Sequence, residues 1–350
     1  MPKIYLTYLS YLKKIKALAS QIKREVKLMT LCGTHSQTIA QYNLKSILPT
    51  NIRLKAGPGC PICVTSVQDI DNLVKLSLAG IPLAIYGDAW QLAGSEMSLE
   101  KAKAQGADVA IIYSVEEALS LSRWKKNLVF FGVGFETTAP MTAWAVKKGL
   151  TVYSSHKLFP PAMGALLNSG ELKIDGFINP GHVSSIIGLK TYQKFKIPQV
   201  VAGFKQEDVL IAIRMLLKQI IESRKEVENE YRRLVKPEGN PQALNLIKEV
   251  FEIQPAHWRG LGIIPASGLE IKKKFSQGDA KRKYQDILKK QDKSNFSKPS
   301  ACQCSAVLRG LKEPQECPLF KKVCAPENPQ GPCMVSIEGT CYIDCALTLL

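Results

Sequence analysis

Ten cysteines carry most of the chemical potential of this 350-residue chain, and they fall in two groups. Cys32, Cys60 and Cys63 lie early, the other seven lie between Cys302 and Cys345, and none lies between. Cys60-Pro61-Ile62-Cys63 has the C-x-x-C spacing that closes a small disulfide ring at a helix start and also clamps metals. Ser66, or Thr65, is placed to cap the helix that follows, with Asp69 completing a capping-box pattern. Cys32-Gly33-Thr34-His35 sits between a strand pattern and a helix pattern. A thiol at a helix N-terminus has its pKa lowered and becomes a better nucleophile or metal ligand. His35, three residues on, would share its face and act as a base or orient a ligand. Two blander readings stand beside these: a small buried cysteine next to a capping threonine, and half a zinc site completed by Cys32 and His35. Glu136 and Asp88 are strand-end carboxylates suited to proton transfer or to helix capping, and His182 is a base or a turn residue.

The tail reads Cys302-Gln303-Cys304, then Cys317, Cys324, Cys333, Cys341 and Cys345. It lacks the paired spacing of a zinc ribbon and the compact run of a bacterial ferredoxin. Seven thiols with no histidine after His257 favour iron–sulfur over zinc. The same stretch is rich in proline and glycine, so metal cross-links are expected to supplement its packing.

Between the thiol groups lie the elements that must position them. Strands are expected at residues 27–32, 52–56, 81–86, 108–113, 127–133, 150–153, 174–178 and 198–202, with helices at 66–79, 114–122 and 161–168 between them. This alternation predicts an α/β fold with parallel sheets and flanking helices, arranged in two lobes. Glycine-bearing turns follow one strand after another: Cys32-Gly33, Gly57-Pro58-Gly59, Gly87-Asp88, Gly134-Phe135-Glu136, Pro180-Gly181-His182 and Gly203-Phe204. Ligands of open α/β sheets bind at the carboxyl ends of strands, so these turns mark a site. After Lys205 the pattern predicts one long helix over 208–235, a second over 242–251, turns that include a packing Trp258, and the cysteine-rich tail. The expected division is residues 1–124 (lobe I, with Cys32, Cys60 and Cys63), 125–205 (lobe II), and 206–350 (a largely helical and loop-rich C-terminal iron–sulfur domain).

A formal net charge of +17 invites a nucleic-acid reading. The densest basic run, 272–298, lacks the aromatic spacing of a stacking platform and has no zinc-finger or RNP pattern nearby, so no nucleic-acid partner is expected. A solvated basic face accounts for it, with an acidic protein partner the next choice. No stretch reaches the roughly 20 apolar residues of a membrane span, so no membrane is expected. The N-terminal residues are polar and lysine-studded, without a signal-peptide core. The expected compartment is therefore the cytoplasm, where a cysteine cluster means metal or redox chemistry.

Taken together, CGTH at Cys32, GPGCPICVT at Gly57, GFETTAP at Gly134, PGHVSSIIG at Pro180, PQVVAGF at Pro198, NEYRRLVKPEGN at Asn229, WRGLGIIPASGL at Trp258, CPLF at Cys317 and GPCMVSIEGTC at Gly331 resemble the HypD family of [NiFe]-hydrogenase maturation proteins. The resemblance covers nearly the whole chain. It implies a scaffold that pairs with a HypC-like chaperone and holds iron while it acquires one carbon monoxide and two cyanides. The cyanides come from a HypE-like donor, and the Fe(CN)2CO unit then passes to the hydrogenase large subunit. By position, Cys32 matches the family's iron-holding cysteine, with His35 beside it, and Cys60 and Cys63 match its redox pair. The resemblance also implies a [4Fe-4S] cluster on Cys302, Cys317, Cys324 and Cys341. Cys304 and Cys333 match a second thiol pair, and Cys345 matches no role. The chain differs from the family pattern at Ser36 (usually glutamate), in Ala89-Trp90-Gln91 (where an arginine is usual) and at Lys205 (usually glutamate). A stand-alone iron–sulfur thiol oxidoreductase is the alternative function.

Overall fold

The computed structural model describes residues 3–289 and 301–347. The end of the basic run, from residue 290 on, lies outside the described residues. The strands are β1 (Val26–Thr30), β2 (Ile52–Ala56), β3 (Leu83–Tyr86), β4 (Val109–Ile112), β5 (Val129–Gly134), β6 (Thr151–His156), β7 (Gly176–Pro180), β8 (Gln199–Ala202), β9 (Val227–Asn229), β10 (Phe251–Trp258) and β11 (Gly262–Ile271). β1 to β8 coincide with the runs expected from the sequence, shifted by a few residues at the ends. β5, β6 and β7 are buried along their whole length, as parallel strands covered on both faces require, whereas the edge strands β2 and β4 leave Arg53 and Ile111 exposed.

Two parallel sheets result, one in the order β2-β1-β7-β8-β9 and the other β4-β3-β5-β6, with β10 and β11 pairing as an antiparallel hairpin. The α/β reading with two lobes therefore holds, but the sheets divide the chain differently from the boundary at residue 124. That boundary cuts between β4 and β5, which belong to one sheet. β7 and β8 return to pair beside β1 in the other. A parallel strand reaches its neighbour through a long crossover, and its local sequence does not say which sheet it joins.

Past β8 the structure corrects two expectations. The helix begun at Gln206 ends at Ile221 instead of running to 235. Ser223 adopts a left-handed conformation, and Arg224 then gathers the carboxylates of Glu222, Glu226 and Glu228. The chain so turned supplies β9 as an edge strand. The segment read as turns is the β10–β11 hairpin, where the indole N–H of buried Trp258 donates to Ser267 Oγ at 2.8 Å. The tail packs onto this framework: Cys304, Val307, Leu308, Phe320 and Met334 are buried in the same core as β3, β5 and β7. The helix Val67–Leu78 begins as expected, with Ser66 Oγ accepting from the Asp69 N–H at 3.0 Å.

Candidate functional site

The carboxyl ends of the two sheets face a common cleft of about 550 Å³. Leu31 and Cys32 enter it after β1, and Gly59 and Pro61 after β2. Asp88 enters after β3, Tyr113 after β4, Phe135 and Thr137 after β5, and His182 after β7. The glycine-bearing turns thus converge, as the strand-end rule requires. Gly59 is fixed by this convergence, because a Cβ there would lie 2.5 Å from the backbone nitrogen of Cys32. Its missing side chain lets the C-x-x-C loop rest directly on the Cys32 turn.

Cys32 is the N-cap of the helix Gly33–Gln41 and is partly exposed to the cleft. The expected lowering of its pKa does not occur. Burial among protein atoms pushes the thiol up to about 11, outweighing the His35 and Thr34 N–H groups aimed at it. His35 is fully buried rather than facing the cleft. Its Nε2 lies 2.8 Å from the carbonyl oxygen of Gly203, its Nδ1 has no hydrogen-bond partner, and its ring stacks on Phe204 at 4.9 Å. Burial holds it down at about 4, so it is neutral at physiological pH. His182 also packs on the Phe204 ring, at 4.1 Å, and borders the cleft. Glu136 sits behind the cleft wall. One carboxylate oxygen accepts from the Phe159 N–H at 2.9 Å, the other is buried with no hydrogen-bond partner, and burial raises the pKa to about 7.

Cys60 and Cys63 form a disulfide, both sulfurs buried. So joined they are no half of a zinc site, and His35 is committed to Gly203. Cys63 Sγ lies 3.6 Å from the carbonyl oxygen of Pro332, which places the disulfide against the cysteine-rich tail. Next in the chain, the Cys333 N–H points at Cys304 Sγ at 3.2 Å. The sulfur of Cys304 interacts with those of Cys302 and Cys333, and Cys333 in turn with Cys341. Cys317 and Cys324 flank this row, within electrostatic reach of Cys302 and Cys341. Among the described residues no three His, Cys, Asp or Glu side chains converge on a single-ion site. A cluster binds each of its thiolates at a different iron, so its ligands stand farther apart than those of one ion. The donor set fits such a group: the ligands implied by the resemblance are all thiols. Backbone N–H groups of Gln303 and Gln330 point at Cys317 Sγ and Cys324 Sγ at 3.5 and 3.4 Å, the kind of hydrogen bond that stabilises cluster thiolates. Cys345 is buried in the last described helix.

Two carboxylates join the site from elements that sequence reasoning weighed lightly or not at all. Glu338 lies across Gly33, whose absent Cβ would meet the Glu338 Cβ at 2.6 Å. Asp88 Oδ2 accepts from Ser336 Oγ at 3.1 Å. Burial, with Asp88 nearby, holds the Glu338 carboxyl above its usual range, and its charge is felt at Cys32. Glu338 falls inside the GPCMVSIEGTC motif, which was the signal available for it. Of the three departures, Ser36 turns back onto the Cys32 carbonyl at 3.3 Å, and Gln91 contacts Glu100 at 3.5 Å. Lys205 begins the helix Gln206–Ile221, its N–H donating to Asp208 at 3.1 Å. No helix among the described residues is long and apolar enough to cross a membrane.

Known proteins are similar to this chain along almost its whole length. A model of the hydrogenase formation hypA family, HypD, matches residues 7–347. A putative hydrogenase expression/formation protein of Methanocaldococcus jannaschii is 43% identical over 343 residues, covering 94% of each chain. Hydrogenase maturation factor HypD of Azotobacter vinelandii is 41% identical over 340 residues, covering 91% of this chain and 88% of its own. HypD of Cupriavidus necator is 41% identical over 335 residues, with 89% and 87% covered. Matched along almost its whole length by these relatives, the chain belongs to the HypD family of hydrogenase maturation factors.

Proposed function

We propose that this protein is a cytoplasmic scaffold that holds iron on Cys32 while one carbon monoxide and two cyanides are attached. It would work with a HypC-like chaperone and a HypE-like cyanide donor, and release the Fe(CN)2CO unit toward the hydrogenase large subunit. The observation that carries the reading is the meeting of Cys32, the Cys60–Cys63 loop and the Glu338 segment around one cleft. Strong-field diatomic ligands suit iron held by soft thiolate, and Cys32 is the cysteine that opens onto the cleft. Iron binding would draw the proton from its thiol, overcoming the burial that holds the thiol neutral. His182 and Glu338 border the same space and would orient the incoming groups, while Glu136, near neutrality behind the wall, would hold or release a proton.

A [4Fe-4S] cluster on Cys302, Cys317, Cys324 and Cys341 would supply electrons when bound. Cys304 and Cys333 adjoin those thiols, and Cys333 directly follows Pro332, whose carbonyl oxygen is 3.6 Å from Cys63 Sγ, so electrons held as the Cys304/Cys333 dithiol would pass to the disulfide by thiol–disulfide exchange. The stand-alone oxidoreductase reading has less support, because the buried Cys60 and Cys63 offer no exposed sulfur to a protein substrate.

Infrared spectroscopy of the anaerobically purified complex with its HypC-like partner tests the reading. Carbonyl and cyanide stretching bands that disappear in Cys32→Ala are expected. Their absence from the unmodified protein, with the other maturation factors active, would overturn it.

A further inference from the structure

The hairpin turn at residues 258–262 is the one feature of the WRGLG motif that the proposed chemistry leaves unused. It is bolted to both thiol pairs. On one side the Arg259 N–H donates to Val64 O at 2.9 Å, its Nε to Thr65 O at 2.8 Å and its Nη2 to Ala93 O at 2.8 Å. Val64 and Thr65 directly follow the Cys60–Cys63 ring. On the other side Ser305 Oγ donates to Gly260 O at 2.9 Å, and Ser305 directly follows Cys304. Gly260 has φ +83°, and a Cβ there would press on Ser305 at 3.1 Å. The guanidinium is half-buried, within electrostatic reach of Cys304, Cys333, Asp69 and Asp71. The loop it grips has no strand or helix of its own between Gly57 and Ser66.

We propose that Arg259 is a positioning residue for thiol–disulfide exchange between the Cys60–Cys63 disulfide and the Cys304/Cys333 pair, its forked grip on the carbonyls of Thr65 and Ala93 fixing the disulfide loop against the tail. The inference rests on the redox reading given above. In the exchange, the thiolate of Cys304 or Cys333 attacks one sulfur of the disulfide. The sulfur–sulfur bond breaks as a mixed disulfide forms, and the displaced sulfur leaves as a thiolate that takes up a proton. The second thiol of the tail pair then attacks the mixed disulfide and releases the other loop sulfur. Two electrons pass to the loop, the protons lost by one pair are gained by the other, and no further reactant is consumed. Such a step depends steeply on how closely the two sulfurs are held. Methionine would remove both side-chain hydrogen bonds. Lysine would keep the charge and lose the fork.

The test measures the effective concentration of one sulfur at the other in the full-length protein. In Cys60→Ser/Cys333→Ser, and separately in Cys60→Ser/Cys304→Ser, anaerobic equilibration with glutathione redox buffer reports the mixed disulfide of Cys63 with Cys304 or Cys333, read by acid quench, alkylation and peptide mass spectrometry. Adding either Arg259→Met or Arg259→Lys is expected to lower that effective concentration about tenfold or more. The Cys60–Cys63 ring, measured in Cys304→Ser/Cys333→Ser, should stay within about twofold, since its closure is local. An unchanged mixed-disulfide value with either substitution overturns the proposal, as does a ring value that falls in parallel. Should the methionine variant not fold, the lysine variant decides alone. Failure of the redox reading looks different: the mixed disulfide would then not form even with Arg259 in place.

Discussion

Burial at single residues, more than any charge pair, sets the protonation pattern of this cleft, and the consequences are measurable. Glu136 is raised to about 7 by desolvation, so the folded state favours the protonated carboxyl. A carboxyl raised in the folded state contributes stability below its unfolded pKa, and that contribution is lost as pH rises through the folded value. Between pH 5 and pH 8 the loss is about 2–3 kcal/mol for a shift of this size. Glu136→Gln keeps the acceptor for the Phe159 N–H, so it should raise the melting temperature at pH 8 and change it little at pH 5. His35 and His156 run the other way. Burial holds them near 4 and 3, so the folded state favours the neutral rings, and their contribution is lost as pH falls below about 6.5. Each should cost about 2–3 kcal/mol by pH 4.5. His156→Gln, which can still meet Thr142, should flatten the acid limb of the melting curve. The convergence of the Cys32 turn and the loop at residues 59–62 on one cleft was legible from their positions after successive strands. The protonation of Cys32 was not: a helix N-terminus is visible in sequence, whereas the surrounding desolvation belongs to the assembled cleft. Gly59→Ala should separate position from chemistry. Every thiol would remain, but the loop would be driven off the Cys32 backbone, and the infrared bands should be lost with thiol counts unchanged.

Among the elements, legibility followed burial. β3, β4 and β5 were readable as unbroken apolar runs, and β2 by the alternation of Ile52 and Leu54 with Arg53 and Lys55. β9 is Val-Glu-Asn, half-exposed at a sheet edge, and carries no such run. The β10–β11 hairpin was concealed because residues 253–255 face solvent and Pro255 and Pro265 interrupt it. Its formation depends on Trp258 reaching a core built by distant strands. The overlong helix over 208–235 has the same origin. Its sequence carries neither glycine nor proline, and the break comes from the left-handed Ser223 and the Arg224 ion pairs. A cap, by contrast, is local and was foreseen. Ser66→Ala removes the acceptor for the Asp69 N–H and should cost about 1 kcal/mol, read as a lowered denaturation midpoint with an unchanged slope.

For the molecule as a whole, the interleaving of the two sheets governs how it can be divided. One sheet is built entirely within residues 83–156, while the other takes β1 and β2 from before that stretch and β7 to β9 from after it. A fragment ending at residue 124 would strand β3 and β4 without β5, and β1 without β7. It should lack the amide dispersion of a folded protein in solution NMR. The partition was not legible because pairing partners are chosen across crossovers, and the apolar pattern of β7 would have suited either sheet. The same nesting sets the mechanical behaviour of the chain. Tension applied between the N-terminal helix Lys3–Ala19, which packs on the helix Gln206–Ile221, and the last described helix is borne first by the outer sheet. The enclosed sheet feels no load until the β1–β7 pairing shears. Pulled from its ends, the protein should lengthen in two ordered steps, with the half of the cleft formed by β3 to β6 surviving the first.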